Sequence, residues 1–246
     1  MYQFFVADDQ VCDDKIFIYG SDVNHIGKVL RMKPGQPIRI SDGSGRDYFC
    51  HIEQITKEEV QAIIDKIDES GTELSNDIYL FQGLPKGDKM ELIVQKAVEL
   101  GVKEIIPLAM KNCVVKLDEK KAANKIKRWQ TIAESAAKQS KRSVIPTVHI
   151  PINWNTFIEK AAELDIILVP YENERGMQST REIISSIGKG KSIGLVIGPE
   201  GGFSDTEISD VDEIDNMFRI SLGRRILRTE TAGLATLSML VYELDD

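Results

Sequence analysis

The sequence predicts an α/β protein in which a parallel sheet wrapped by helices follows a small N-terminal β-barrel. Three observations carry this. Up to about residue 70 the chain shows short apolar runs separated by turn residues, with almost no helical period. After a polar stretch the pattern changes to apolar runs alternating with segments of helical period, the arrangement of a parallel sheet. Near the C-terminal end, LVIGPEGGFSDTEI (195–208) and ISLGRRILRTETAGLATLSML (220–240) each read as strand, glycine-bearing loop and helix.

Taken in order, Phe4-Phe5-Val6, Lys15 to Tyr19, Pro37 to Ser41, Tyr48 to Ile55 and Val60 to Ile67 are the predicted barrel strands. Lys33-Pro34-Gly35 and Asp42-Gly43-Ser44-Gly45 supply turns between them. A helix over Asp22 to Leu30 interrupts the barrel and presents His25, Lys28 and Arg31. Asp68 to Asn76, with Ser70-Gly71-Thr72, marks a boundary, so the expected domains are 1–72 and 73–246. Beyond it Ile78 to Leu84 reads as a strand. Met90, Ile93, Val94 and Ala97 then fall at i, i+3, i+4 and i+7 of a helix that Gly101 can end. A strand over Glu104 to Met110, helices over Asp118 to Gln139 and Trp154 to Leu164, a strand over Asp165 to Pro170 and a helix over Ser179 to Ile187 continue the alternation.

The two glycine-bearing stretches suggest a ligand pocket, because loops leaving parallel strands meet at the carboxyl edge of a sheet. In the first, Leu195, Val196 and Ile197 form a strand that Gly198-Pro199-Glu200-Gly201-Gly202 breaks, and Ser204 with Glu207 forms a capping box for the next helix. In the second, Phe218 to Leu222 form a strand, Gly223 opens the turn, and Thr229 can cap a helix toward Leu244. Pro170-Tyr171-Glu172, at the end of another strand, is a third loop for the same edge. A phosphate cradle wants Lys and Ser or Thr directly after its glycines, whereas this loop carries Glu200 and no base. It suits an adenosine with a cationic centre, a description that S-adenosylmethionine fits. On the loop alone, a tight turn without a ligand is the alternative.

Net charge is −8, which argues against a nucleic-acid partner until its distribution is considered. Lys86 to Arg142 holds 14 Lys and Arg against seven Asp and Glu, enough for a basic face on an acidic protein; solvated helix faces are the alternative. Cys12, Cys50 and Cys113 are scattered and form no CxxC, and His25, His51 and His149 are equally dispersed, so neither a disulfide framework nor a metal site is expected. No run reaches membrane-spanning length and the start is unlike a signal peptide, so the expected location is cytoplasmic.

GPEGGFSDTE followed by SLGRRILRTETA resembles the signature of the uridine-N3 methyltransferases of 16S ribosomal RNA, the RsmE family of the SPOUT superfamily. The resemblance extends through FFV (4–6), His25, KVLRM (28–32), SDG (41–43), KGDKME (86–91), QKAVELGV (95–102), IIPL (105–108) and VVKLD (114–118). Asn112-Cys113 and Lys138 depart from the family pattern.

The resemblance implies a PUA-like barrel that contacts RNA and a SPOUT domain whose 170, 198 and 223 loops meet in a trefoil knot. It implies S-adenosylmethionine as cofactor, held at Ile197, Gly198, Pro199 and Gly202 and at Leu222, Gly223, Ile226 and Leu227, with Pro170, Tyr171 and Glu172 closing the other side. The implied partner is 16S ribosomal RNA of the small ribosomal subunit. Arg31, Arg46, Lys86, Lys89 and Arg142 are the expected phosphate contacts. Uridine N3 must lose its proton to become nucleophilic, so a base and an anion stabiliser are needed; Glu230 and Arg228 are the candidates, with Glu200 the alternative base. Leu234, Leu237, Leu240, Val241 and Leu244 offer more apolar surface than one stripe requires, and with the family's habit of pairing they suggest a homodimer. Competing readings are a SPOUT enzyme for a ribose hydroxyl or a tRNA base, and a catalytically silent RNA-binding module.

Overall fold

The computed structural model describes residues 1–245, which divide into two compact units. One comprises Met1–Glu73 with Ala137–Ile145, and the other Leu74–Ala136 with the chain from Pro146 onward. The contiguous division at 72/73 is thus corrected, because 137–145 belongs with the N-terminal residues. A buried polar network explains why. Asp47 is fully buried and accepts from Ser143 Oγ at 2.6 Å, and Gln3 Nε2 donates to the Arg142 carbonyl at 2.6 Å. Glu73 Oε1 accepts from the Ser143 backbone N–H at 2.9 Å, and its carboxylate also pairs with the Arg142 guanidinium. Buried polar groups must be satisfied, and here partners 69 to 139 residues apart in sequence satisfy one another.

The first unit carries β1 (Tyr2–Phe5), β2 (Val11–Cys12), β3 (Lys15–Tyr19), α1 (Ser21–Asn24), β4 (Pro37–Ser41), β5 (Asp47–Ile55) and β6 (Glu59–Asp68). They form one sheet in the order β1-β4-β5-β6-β3-β2, antiparallel except for the parallel pair of β1 and β4. The period of two is visible in what is buried: Ile16 and Ile18, Ile38 and Ile40, Cys50 and Ile52, Val60 and Ala62 all point into one core with Phe4. Burying side chains of this size stabilises by roughly 1.5–3 kcal/mol each. α1 continues through a π-helical turn at His25–Val29, which seats Ile26 in the core and sets the His25 ring edge-on to Phe4 at 5.9 Å. Burial pushes the Cys50 thiol up to about 12, leaving it an inert packing group.

The second unit begins with β7 (Asp77–Gly83), α2 (Lys89–Glu99), β8 (Glu104–Ala109) and α3 (Glu119–Ser140), whose last turn is grouped with the first unit. There follow β9 (Thr147–Val148), β10 (Ile152–Asn153), α4 (Trp154–Ala161), β11 (Ile166–Pro170), α5 (Gln178–Ser185), β12 (Ser192–Ile197), α6 (Asp205–Glu213), β13 (Met217–Ile220) and α7 (Thr229–Leu244). Every strand pair in this sheet is parallel, in the order β10-β8-β7-β12-β11-β13 with β9 beside β8. Both faces are covered, which is why the strands read as unbroken apolar runs. Phe81, Ile106, Leu108, Ile167, Val169 and Val196 face one core with Trp154 and Phe157 of α4 and Val211 of α6. By alternation Ile78, Leu80, Leu195 and Ile197 face the other way, and α7 packs against β12, α2 and α5. Among the described residues no helix is long and apolar enough to cross a membrane.

A candidate active site at the carboxyl edge of the sheet

β12, β11 and β13 are neighbours and parallel, so the loops that follow them leave from one edge and enclose a cavity of about 470 Å³. That volume suits a nucleoside-sized ligand. Pro170, Tyr171 and Glu172 line it from the first loop and Ile197, Gly198, Pro199 and Gly202 from the second. Leu222, Gly223, Ile226 and Leu227 line it from the third. The structure thus brings all the expected cofactor positions around one space. It adds Lys89, Arg175, Phe203, Arg225, Thr229 and Ala232 to that lining.

Several contacts hold the GPEGG loop in place. Gly83, at the end of β7, approaches it so closely that a Cβ would lie 2.6 Å from the Pro199 nitrogen. Asn112 Nδ2 donates to the carbonyls of Gly201 at 3.1 Å and Gly202 at 3.3 Å, so this departure from the family pattern is a loop clamp. Cys113 beside it is half-buried, with its thiol at 3.6 Å from the Leu108 carbonyl and its titration pushed up mainly by burial. On the far side of the loop the capping box forms as predicted. Ser204 Oγ accepts from the Glu207 N–H, and Glu207 Oε2 accepts from the Ser204 N–H at 2.7 Å. Glu207 Oε1 further accepts from the Lys111 N–H at 3.0 Å, which ties the loop after β8 to α6.

Thr229 corrects the expectation for α7. The cap position is Arg228, and Thr229 is the first helical residue. Its hydroxyl instead donates to the Gly198 carbonyl at 2.7 Å and accepts from Nε2 of the fully buried Gln82 at 2.9 Å. A β7 side chain, the start of α7 and the glycine loop are thereby joined beneath the cavity.

The charged groups sort into a core and a rim. Lys89 Nζ lies 2.8 Å from Glu200 Oε1 and 3.4 Å from Glu230 Oε2. Glu200 also accepts from the Lys86 backbone N–H at 3.1 Å. Burial pushes the Glu200 carboxyl upward, but the hydrogen bonds from Lys89 and from backbone N–H groups outweigh it and hold the carboxyl below its ordinary range. The Glu200 hydrogen bond raises Lys89 against the opposing effect of desolvation, so both groups stay charged. The Glu230 carboxylate is mostly buried and turns to Lys89 rather than lining the cavity; among the described residues its Oε2 makes no hydrogen bond. Arg175, Arg225 and Arg228 are exposed and give the cavity a cationic rim.

Of the expected phosphate contacts, Arg31 and Arg46 are exposed in the first unit and Lys86 is exposed in the second. Arg142 is a correction. It is 5% exposed, lies in the first unit, and is committed to Glu73, so it is a structural ion pair and no docking group. Lys89 is drawn into the cavity.

The residues fit S-adenosylmethionine. The walls are apolar side chains and glycine backbone, no Lys-Ser/Thr cradle for a phosphate is present, and Glu172 and Glu200 stand where a sulfonium would be tolerated. Fold and cavity together define a methyltransferase of the parallel α/β type, and a model of the RNA methyltransferase domain matches residues 72–241. A model of the RNA methyltransferase PUA domain matches residues 18–65. The chain is 38% identical over 231 residues to ribosomal RNA small subunit methyltransferase E of Bacillus subtilis strain 168, covering 93% of this chain and 90% of that protein. A crystal structure of ribosomal RNA small subunit methyltransferase E from Neisseria gonorrhoeae bound to S-adenosyl methionine is similar with a TM-score of 0.83 at 30% identity, over 98% of this chain and 97% of that one. A putative methyltransferase from Legionella pneumophila, in complex with the same cofactor, is similar with a TM-score of 0.83 at 31% identity, over 98% and 97%. The chain belongs to the ribosomal RNA small subunit methyltransferase E family.

Proposed function

We propose that the protein transfers a methyl group from S-adenosylmethionine to N3 of a uridine in 16S ribosomal RNA of the small ribosomal subunit, acting in the cytoplasm. The observation that carries this reading is the cavity, whose walls come from three parallel-strand loops and whose rim is cationic. Bound there, S-adenosylmethionine supplies an already activated methyl electrophile. The rest falls to the chain. Backbone at Gly198, Leu222, Gly223 and Leu227, with Pro170, Tyr171 and Glu172 opposite, holds the adenosine and excludes water from it. The target uridine must be turned out of its stack, at about a few kcal/mol, before N3 can be reached.

Arg228, exposed at the rim, is positioned to stabilise the charge that develops on O2 or O4 as the N3 proton leaves. Glu230 is the assigned proton acceptor. It stands beside the cavity, paired with the Lys89 ammonium at 3.4 Å but without a hydrogen bond to its Oε2 among the described residues, so it is less committed than Glu200. Glu200 is a poorer base, because the hydrogen bonds that keep it ionised also weaken its affinity for a proton. Arg31, Arg46 and Lys86 supply phosphate contacts that position the RNA without reading its bases. The trefoil threading of the three loops and a homodimer complete the proposal. For the dimer, α7 leaves Leu234 and Val241 half-buried and Tyr242 88% exposed. Incubation of small ribosomal subunits with methyl-labelled S-adenosylmethionine tests the activity: label in 16S ribosomal RNA is expected, and label confined to transfer RNA, or none, contradicts it.

A further inference from the structure

We infer that Lys89 is a positioning residue of the methyl-transfer site, a cationic cross-link that holds the GPEGG loop against the first turn of α7. The inference rests on the reading of the cavity as an S-adenosylmethionine site. Lys89 is the first residue of α2, where a positive charge opposes the helix dipole, so local helix chemistry gives no reason for it. Its surroundings do. Nζ stands between Glu200 of the glycine loop and Glu230 of α7, at 2.8 and 3.4 Å, and the side chain lines the cavity. Glu230 Oε2 has no hydrogen-bond partner, which leaves the ammonium as the charge that compensates it. Removing one partner of a buried charged group strands the other, so a Lys89 that swung out to a phosphate would leave Glu230 uncompensated.

The same geometry couples two walls of the cavity. Thr229, next to Glu230, already donates to the Gly198 carbonyl at 2.7 Å, and the Lys86 N–H already reaches Glu200 at 3.1 Å. Lys89 closes the ring by linking these two attachments through charge. Its loss therefore frees the glycine loop and the start of α7 together. The effect falls on the shape of the cofactor cavity, whereas a lysine on RNA would act on docking.

Calorimetry with S-adenosylmethionine, and filter binding of extracted 16S ribosomal RNA across a salt series, on the full-length parent, Lys89→Met and Lys89→Arg separate these roles. Lys89→Met is expected to weaken cofactor binding about tenfold to hundredfold, the scale of a lost charged hydrogen bond. Its RNA affinity and salt slope should match the parent's. Lys89→Arg, whose guanidinium can span both carboxylates, should recover most of the cofactor affinity, a rescue that simple loss of packing would not show. The double variant Lys89→Met with Glu200→Gln should lose little more than Lys89→Met alone. Parental cofactor affinity in Lys89→Met, or a salt slope reduced by about one charge, overturns the inference. Should Lys89→Met not fold, Glu200→Gln in the same titration takes its place, and parental cofactor affinity there counts equally against the cross-link. A parent that binds no S-adenosylmethionine overturns the reading of the cavity, and the inference with it.

Discussion

At Gly198 the constraint comes from the protein as well as from any ligand. A Cβ there would lie 3.2 Å from Phe203 Cε2, and Phe203 itself lines the cavity edge-on to Tyr171. Gly198→Val should therefore displace the ring into the cavity and weaken S-adenosylmethionine binding while the core survives; parental affinity by calorimetry in a folded variant would reduce the loop to a turn. Arg228→Ala is expected to retain cofactor binding and lose methyl transfer under saturating RNA, and Glu230→Gln, which also removes one anchor of the Lys89 cross-link, is expected to lose methyl transfer by about 10²–10⁴-fold at saturating cofactor and RNA. Near-parental single-turnover rates would remove both from the mechanism. Glu200 gives a pH dependence of definite sign. Its carboxyl is held below the ordinary range, so its bonds to Lys89 and Lys86 are fully present above the unfolded carboxylate value of about 4.3 and are lost as pH falls through the lower folded value. Cofactor affinity should accordingly be flat from neutrality to about pH 5 and decline only in more acidic buffer. A decline that begins near neutrality would assign the titration to another group.

Elements were legible where their signals were local. The capping box at Ser204 and Glu207, the i, i+3, i+4, i+7 stripe of α2 and the apolar runs of β7, β8, β11 and β12 formed where spacing and period placed them, with ends shifted by a residue or a few. What sequence could not show were contacts across long separations. Thr229 was expected to cap a helix but serves Gly198, 31 residues away, and Gln82, 147 residues away. Arg142 looked like one more base in a basic stretch because Glu73 lies 69 residues before it. The two-residue strands β9 and β10 are too short to carry a pattern of their own and exist as parallel additions to β8. At this scale Ser204→Ala should cost about 1 kcal/mol in urea unfolding. Glu207→Ala should cost more, because it leaves the Ser204 and Lys111 N–H groups without their acceptor, at about 1–3 kcal/mol each. Equal losses in the two variants would show that the carboxylate does no more than complete the cap.

For the molecule as a whole, the α7 surface argues for pairing on a narrower basis than composition suggested. Leu237, Leu240 and Leu244 are spent on the unit's own core, at 0%, 0% and 8% exposure, which leaves Leu234, Val241 and Tyr242 for a partner. Sedimentation should still show twice 27.6 kDa at micromolar concentration, and a species at the monomer mass alone would reject the dimer. Of the candidate site, the cavity walls at Ile197 to Gly202 and at Leu222 to Leu227 were readable because those residues are contiguous, whereas the Lys89 ion pairs and the Asn112 clamp required the folded chain. The account as a whole turns on which atom is methylated. Small ribosomal subunits lacking the modification, treated with the protein and S-adenosylmethionine, should yield 3-methyluridine at one position of 16S ribosomal RNA when the RNA is digested to nucleosides and mapped by mass spectrometry. A ribose-methylated nucleoside, a methylated base other than uridine, or 3-methyluridine scattered over many positions would contradict it.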